Sequence, residues 1–276
     1  MTSDIQRLSE PTIQRWALRI EYDGRPFVGW QRQSGNLSVQ QVLEDAAARL
    51  AKGRTVPSVT AGRTDAGVHA TGQVVHLDFP SATELTGSKV RDALNFHMKP
   101  YPVAIVDAVA VDHAWNARFS ANRRSYRYRI LNRRGRLALD EGRVWLVKRP
   151  LDAGAMALAA QQLLGRHDFT SFRASACQAA SPLRTLDRLA VTRLDEEIVI
   201  EADARSFLHH QVRNMVGTLK LVGEGTWPPE RVGEALRTCD RRAAGPTAPP
   251  DGLYLTAVGY DPDPFLSLNS CKNFRK

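Results

Sequence analysis

Trp16-Ala17-Leu18-Arg19-Ile20-Glu21-Tyr22 alternates in polarity, with Trp16, Leu18, Ile20 and Tyr22 on one face and Arg19 and Glu21 on the other. That period of two predicts a half-buried β-strand. Asp23-Gly24-Arg25-Pro26 has turn composition. Ser38 then opens a helix, with Gln41 three residues on as its capping-box partner. Val39, Val42, Leu43, Ala46 and Leu50 form its apolar face, and Gly53 stops it. Val56 to Thr60 reads as a short strand, Ala61 to Thr71 as a loop, and Val75, Leu77 and Phe79 as the next strand. A helix through Val90, Ala93 and Leu94 and a strand from Val103 to Val111 follow. The order strand, helix, strand, strand, helix, strand is the split βαβ, ferredoxin-like arrangement.

The rest of the chain repeats that order without a detectable sequence repeat. Tyr126, Tyr128 and Ile130 alternate with Arg127 and Arg129 in a strand. Asp152 caps a helix carrying Met156, Ala159, Ala160, Leu163 and Leu164, closed by Gly165. Strands over Leu186 to Leu194 and Ile198 to Ala204, a helix from about Phe207 to Glu224 and a strand over Leu253 to Val258 complete the set. The expected fold is α/β (α+β): two ferredoxin-like, RRM-like lobes with mostly antiparallel sheets and helices packed on one face. Residues 1–113 form the first lobe and 114–276 the second. Gly245 to Gly252 is a loop, and the tail beyond Pro264 has little pattern.

The 276 residues are 43% hydrophobic and 24% charged, a profile that excludes a disordered chain. No apolar stretch approaches the roughly 20 residues that span a bilayer. Residues 1–7 lack the apolar core of a signal peptide. A cytoplasmic protein with no membrane partner is expected. Cys177, Cys239 and Cys271 lie far apart, so free thiols are expected rather than disulfides or a cysteine metal site. The net charge of +9 favours a polyanionic partner. Arg123, Arg124, Arg127, Arg129, Arg133, Arg134 and Arg136 interleave with Tyr126 and Tyr128. Such a mixture reads either as a solvated face or as a groove in which bases stack and phosphates meet guanidinium groups.

Four segments carry candidate chemistry. Gly62-Arg63-Thr64-Asp65-Ala66-Gly67-Val68-His69 links two strands. Alone it reads first as an Asx-type turn in which Asp65 caps local amides; its small residues also suit close approach of a ligand. In Phe207 to Gly217, helical spacing puts Leu208, Val212, Met215, Val216 and Leu219 toward the core. His210, Arg213, Asn214 and Gly217 then form an adjacent polar stripe, either a solvated face or a functional one. A mid-helix glycine costs about 1 kcal/mol against alanine, so Gly217 has a reason such as close packing. Tyr126 reads as a cross-strand aromatic and Leu253 as a core leucine.

Taken together, these segments resemble the tRNA pseudouridine synthase A family. The matches run in order along nearly the whole chain: Tyr22-Asp23-Gly24 with Phe27 to Gln33, Gly62 to His69, Ala117-Arg118-Phe119-Ser120-Ala121 and Tyr126-Arg127-Tyr128. Gly165 to Phe169, Phe207 to Gly217 and Ala248 to Leu255 complete them. The resemblance implies conversion of uridine to pseudouridine at positions 38, 39 and 40 of the tRNA anticodon stem-loop. It also implies a homodimer that needs no cofactor and no metal, with its active-site cleft between the lobes. Carried over by motif, Asp65 is the nucleophile and Arg213 its basic partner, both catalytic. Tyr126 contacts the target base, Leu253 lines the pocket and Arg63 helps hold out the flipped nucleotide. Gln211 and Met215 depart from the family's usual methionine and isoleucine, and Ser125 replaces a common basic residue.

The reaction is an isomerisation, consistent with the absence of any cofactor motif. Carboxylates act as covalent nucleophiles, and an opposing arginine favours the ionised form and aims it. Attack on uracil C6 and attack on ribose C1′ both remain open. A non-catalytic RNA-binding module would leave the Asp65 loop without a purpose. A metal-dependent hydrolase would call for clustered carboxylates, and Asp168 and Asp203 lie in unrelated contexts.

Overall fold

The computed structural model describes residues 13–80 and 85–266. Residues 1–7, the N-terminal segment considered above, and Cys271 lie outside them. The first half comprises β1 (Ile13–Tyr22), α1 (Val39–Leu50), β2 (Ser58–Thr60), β3 (His69–Pro80), α2 (Gly87–His97) and β4 (Val103–Val111). The second comprises β5 (Arg123–Leu131), β6 (Trp145–Leu146), α3 (Ala153–Ala160), β7 (Gly165–Asp168), β8 (Leu183–Leu194), β9 (Glu197–Ala204), α4 (Gln211–Gly223), α5 (Glu230–Thr238) and β10 (Leu253–Gly259).

The described strands belong to one sheet, ordered β4-β1-β3-β10-β5-β9-β8-β7, with β2 on β3 and β6 on β5. Read by halves, β4-β1-β3-β2 and β10-β5-β9-β8 have the same ferredoxin-like order. The halves fuse because β2 covers only Val75 to Leu77 of the β3 edge. β10 takes the rest of that edge in parallel, at His69 and Ala70. Apart from this joint and the short β5–β6 pair, all strand pairs are antiparallel.

Alternation decides which side chains meet the helices. Trp16, Leu18, Ile20 and Tyr22 of β1 pack with Val75, Leu77 and Phe79 of β3 against α1 and α2. Tyr128 and Ile130 of β5 pack with Leu189 and Ile200 against α3, α4 and α5. Phe79, Phe169 and Phe172 are fully buried, each worth roughly 1.5–3 kcal/mol in apolar transfer. β10 puts Leu253 in the second of these cores and Leu255 in the first, and Tyr126 packs against both. On the other side of the sheet, the segment from Asp112 to Asn122 carries Trp115, Ala117 and Ala121 over Ala17 and Val74. Tyr260 and Phe265 join this third core, so the chain just past Pro264 is anchored by a buried ring.

The expected caps are present: Ser38 Oγ accepts from Gln41 N (3.2 Å) and Asp152 Oδ1 from Ala155 N (2.9 Å). Two expectations change. The helix expected from Phe207 begins at Gln211, because the Gln211 Oε1 takes the Leu208 amide (2.8 Å) and His210 turns left-handed at φ 63°. The arginines and tyrosines of β5 do not mix. Arg127 and Arg129 project from the face opposite Tyr126 and Tyr128 and pair with Glu201 (3.1 Å) and Glu197 (2.7 Å). Arg133 and Arg188 are matched likewise by Glu196 and Glu201.

His76, 3% exposed on β3, accepts a hydrogen bond at Nδ1 from Ala117 N (3.1 Å). Burial, reinforced by Arg15 and opposed by Asp78, pushes its pKa down to about 4. The unfolded chain therefore binds the extra proton first. The stability that neutral His76 confers is complete above about pH 6.5 and falls as the pH drops toward 4, by at most about 3 kcal/mol. Urea midpoints at pH 7 and pH 4.5 should differ clearly less in His76→Asn than in the wild type; equal differences would reject this account.

Candidate active site

Asp65 sits in the turn between β2 and β3, and neighbouring backbone holds that turn. Trp30 N donates to Thr64 O (3.0 Å), Gly67 N to Phe27 O (3.3 Å), and Tyr22 Oη shares a hydrogen bond with Thr64 Oγ1 (2.8 Å). The approach is so close that a Cβ at Gly24 would lie 2.1 Å from Val68 O. One at Gly29, where φ is +105°, would lie 2.5 Å from Thr64 O. This framework leaves the carboxylate free to face outward. Among the described residues it accepts no local amide, so the Asx-turn reading fails. Its partners come from the segment leading into α4 and from α4 itself.

Arg213 Nη1 donates to Asp65 Oδ2 at 3.1 Å across 148 residues of sequence. Both side chains are partly buried. Arg213 Nε donates to Ala248 O (2.8 Å), and Ala248 N donates back to Arg213 O (3.1 Å), so the guanidinium is aimed from two sides. The polar stripe beside it is interior. Asn214 Nδ2 donates to Phe172 O (2.8 Å), and its Oδ1 accepts from Thr247 Oγ1 (2.6 Å) and Arg241 (3.1 Å). A Cβ at Gly217 would lie 1.8 Å from Pro246 O, which is the close packing its glycine serves. The left-handed turn at His210 brings two further groups to the carboxylate. His209 Nε2 lies 3.3 Å from Oδ1 and His210 Nε2 lies 3.4 Å from Oδ2. Burial lowers the His210 pKa against the pull of Asp65, with His209, Arg213 and Arg241 adding to the decrease, so the imidazole is neutral at neutral pH.

The structure thus brings Asp65, Arg213 and Tyr126 together. Tyr126 is half-buried and meets Phe207 edge-on, with ring centroids 5.2 Å apart. Burial, then the proximity of Tyr22 and Asp65, raises the pKa of its phenol, which stays protonated. Tyr22 is pushed up to about 12 by burial against the hydrogen bonds from Thr64 and Gln73. Leu253 is buried in the second core with Val68 and Tyr128, one strand from the site. Arg63 is exposed and has no hydrogen-bond or ion-pair partner among the described residues. The sequence alone does not point to His209 and His210 as neighbours of Asp65; the signal it carries is the His210–Arg213 spacing.

Beneath the site, buried Arg124 makes five donations to four backbone carbonyls: Ala61 (2.7 and 3.3 Å), Arg118 (2.9 Å), Ala121 (3.0 Å) and Arg205 (2.7 Å). It therefore ties the start of the Asp65 loop to the start of the segment that carries His209 and His210. Chemically, the site offers a carboxylate faced by one guanidinium and two imidazoles. The Asp65 carboxylate and the two imidazoles offer ligand atoms within 4.8 Å of one another, a spacing that could hold a transition-metal ion, although Arg213 already occupies Oδ2. Among the described residues, Cys177 and Cys239 are free.

A family model described as tRNA pseudouridine synthase matches residues 19–120 and 159–261. A protein named tRNA pseudouridine synthase A from Acidiphilium cryptum is 68% identical over 254 residues, covering 92% of this chain and 99% of that one. The proteins of the same name from Paramagnetospirillum magneticum and Gluconobacter oxydans are 60% and 57% identical. They cover 89% and 93% of this chain, and 95% and 94% of their own lengths. With both halves matched and identity this high over nearly its whole length, the chain belongs to the tRNA pseudouridine synthase family.

Proposed function

We propose that the chain isomerises uridine to pseudouridine at positions 38, 39 and 40 of the tRNA anticodon stem-loop, as a cytoplasmic, tRNA-binding homodimer with Asp65 as nucleophile. The observation that carries this reading is the 3.1 Å Asp65–Arg213 pair in a member of this family. The target uridine leaves its stack at a cost of a few kcal/mol. The Tyr126 ring offers a stacking face that returns about 1–3 kcal/mol. Asp65 attacks the uridine, the C1′–N1 glycosidic bond breaks, the uracil turns and C1′ bonds to C5; the bond to Asp65 then breaks to restore the carboxylate, C5 gives up its proton and N1 ends protonated. Arg213 keeps the carboxylate charged and aimed. Leu253 supplies apolar wall, and exposed Arg63, with no ion-pair partner among the described residues, supports the extruded nucleotide. His210, neutral beside Asp65, is suited to accept a proton.

The histidine pair gives a metal-dependent hydrolase its one supporting observation. Unmodified tRNA incubated with the protein in EDTA decides between the two: pseudouridine in full-length tRNA selects the isomerase, whereas cleavage that requires added metal selects the hydrolase.

Asp65→Asn and Asp65→Ala should each lower turnover by roughly 10⁴-fold or more while tRNA affinity is kept. Full activity in Asp65→Asn would remove it as nucleophile. Arg213→Ala should reduce kcat by about 10²–10³-fold with little change in tRNA affinity. A loss confined to binding would make Arg213 a phosphate contact instead. Tyr126→Phe should be milder than Tyr126→Leu in single-turnover rates, whereas equal losses would assign the role to the hydroxyl.

A further inference from the structure

The positive charge of this chain is unevenly neutralised. On the sheet face opposite Tyr126, Arg129 meets Glu197 while Arg127 and Arg188 share Glu201, and just past β5 Arg133 meets Glu196. Arg166, Arg184 and Arg205 meet no carboxylate among the described residues. These three line one cavity of about 220 Å³ with Leu183, Thr185 and Ser206, and among the described residues no acidic side chain contributes to its wall. Arg184 is half-buried; its Nη1 reaches Ser181 O (3.0 Å) and Leu183 O (2.6 Å), but its buried Nε–H has no acceptor among the described residues. A buried donor without a partner is costly, and an anion in the cavity would relieve that cost.

We propose that Arg166, Arg184 and Arg205 form a phosphate-binding pocket that holds the tRNA backbone near the modified uridine. This rests on the reading that tRNA is the substrate. Three guanidinium forks suit tetrahedral phosphate, and the Thr185 and Ser206 hydroxyls add donors. The pocket's position favours nucleic acid over other anions. Arg166 and Thr185 are paired across β7 and β8. Arg205 begins the stretch that continues to Phe207, against Tyr126, and to His209, beside Asp65. The four steps from Arg205 to His209 span at most ~14 Å when extended, so a phosphate in this pocket lies within a few nucleotides of a base at Asp65. The Arg205 carbonyl is held by Arg124, which fixes the pocket relative to the catalytic loop.

Arg166→Gln/Arg205→Gln removes two side chains that make no protein hydrogen bond or ion pair among the described residues, so the fold should stand; Arg184→Gln is added separately. Binding of unmodified tRNA is measured across a salt series. The double variant should bind about tenfold more weakly near 0.15 M salt, and its log affinity against log salt should flatten by roughly 0.7–0.9 per lost phosphate contact. Its kcat at saturating tRNA should equal the wild type. Arg129→Gln/Arg133→Gln, where each arginine meets its own glutamate, should change neither quantity. Ethylating single tRNA phosphates should reveal a position that weakens wild-type binding and has no effect on the variant. An unchanged salt slope, or a fall in kcat at unchanged KM, overturns the pocket. Failure of the wild type to make pseudouridine would overturn the functional reading instead, while the salt slopes would still decide whether the pocket binds RNA phosphate.

Discussion

β10 hydrogen-bonds on both edges, and the architecture depends on it. Along one edge it completes the four-strand order of the second half against β5; along the other it meets β3 of the first half. Its inward side chains divide between two cores, Leu253 in one and Leu255 in the other. The parallel joint with β3 involves only His69 and Ala70, the residues that end the Asp65 loop. The same contact that joins the halves therefore fixes where the carboxylate stands relative to α4.

Two cations act on that geometry in different ways. Arg124 is buried with no carboxylate partner among the described residues, and backbone oxygens solvate it. Its planar fork offers five donors where lysine offers three, which suits it to collecting carbonyls from several loops. Arg213 remains partly open to solvent and faces Asp65 directly. A partly buried pair adds little net stability once desolvation is counted. Its value lies in orientation: Ala248 grips Arg213 through both side chain and backbone, so the donor stays aimed when a substrate excludes water.

Much of this was legible in the sequence because it is local. Alternation from Trp16 to Tyr22 and from Tyr126 to Ile130 marked strands whose inward faces the structure keeps. Ser38 and Asp152 marked helix starts. The Asp65–Arg213 encounter, by contrast, followed only from family resemblance, since nothing local links residues 148 apart. Other features are tertiary in origin. Polar Asn214 and mid-helix Gly217 look like a solvated stripe, and become interior because the loop from Gly245 to Ala248 lies over them. The turn at His210 arises from a side chain competing for a backbone amide. Glutamates on β9 cancel the arginines of β5 in a way that only strand pairing reveals. α5, with Val232, Ala235 and Leu236 buried, carried a readable signal in its apolar spacing after Pro228-Pro229. The merging of two expected sheets into one had none, because the edge of β3 left uncovered by β2 cannot be seen from composition.

The placement of β10 also orders events during translation. The first half can pair β1, β3 and β4 as soon as Val111 emerges, with part of the β3 edge open. That edge finds its partner only after more than a hundred further residues have been made. A nascent chain halted before Leu253 would hold the Asp65 turn and α4 in covalent sequence yet lack the strand that brings them face to face. The joint between the halves, which sets the Asp65 turn against α4, thus waits on the last strand of the sheet.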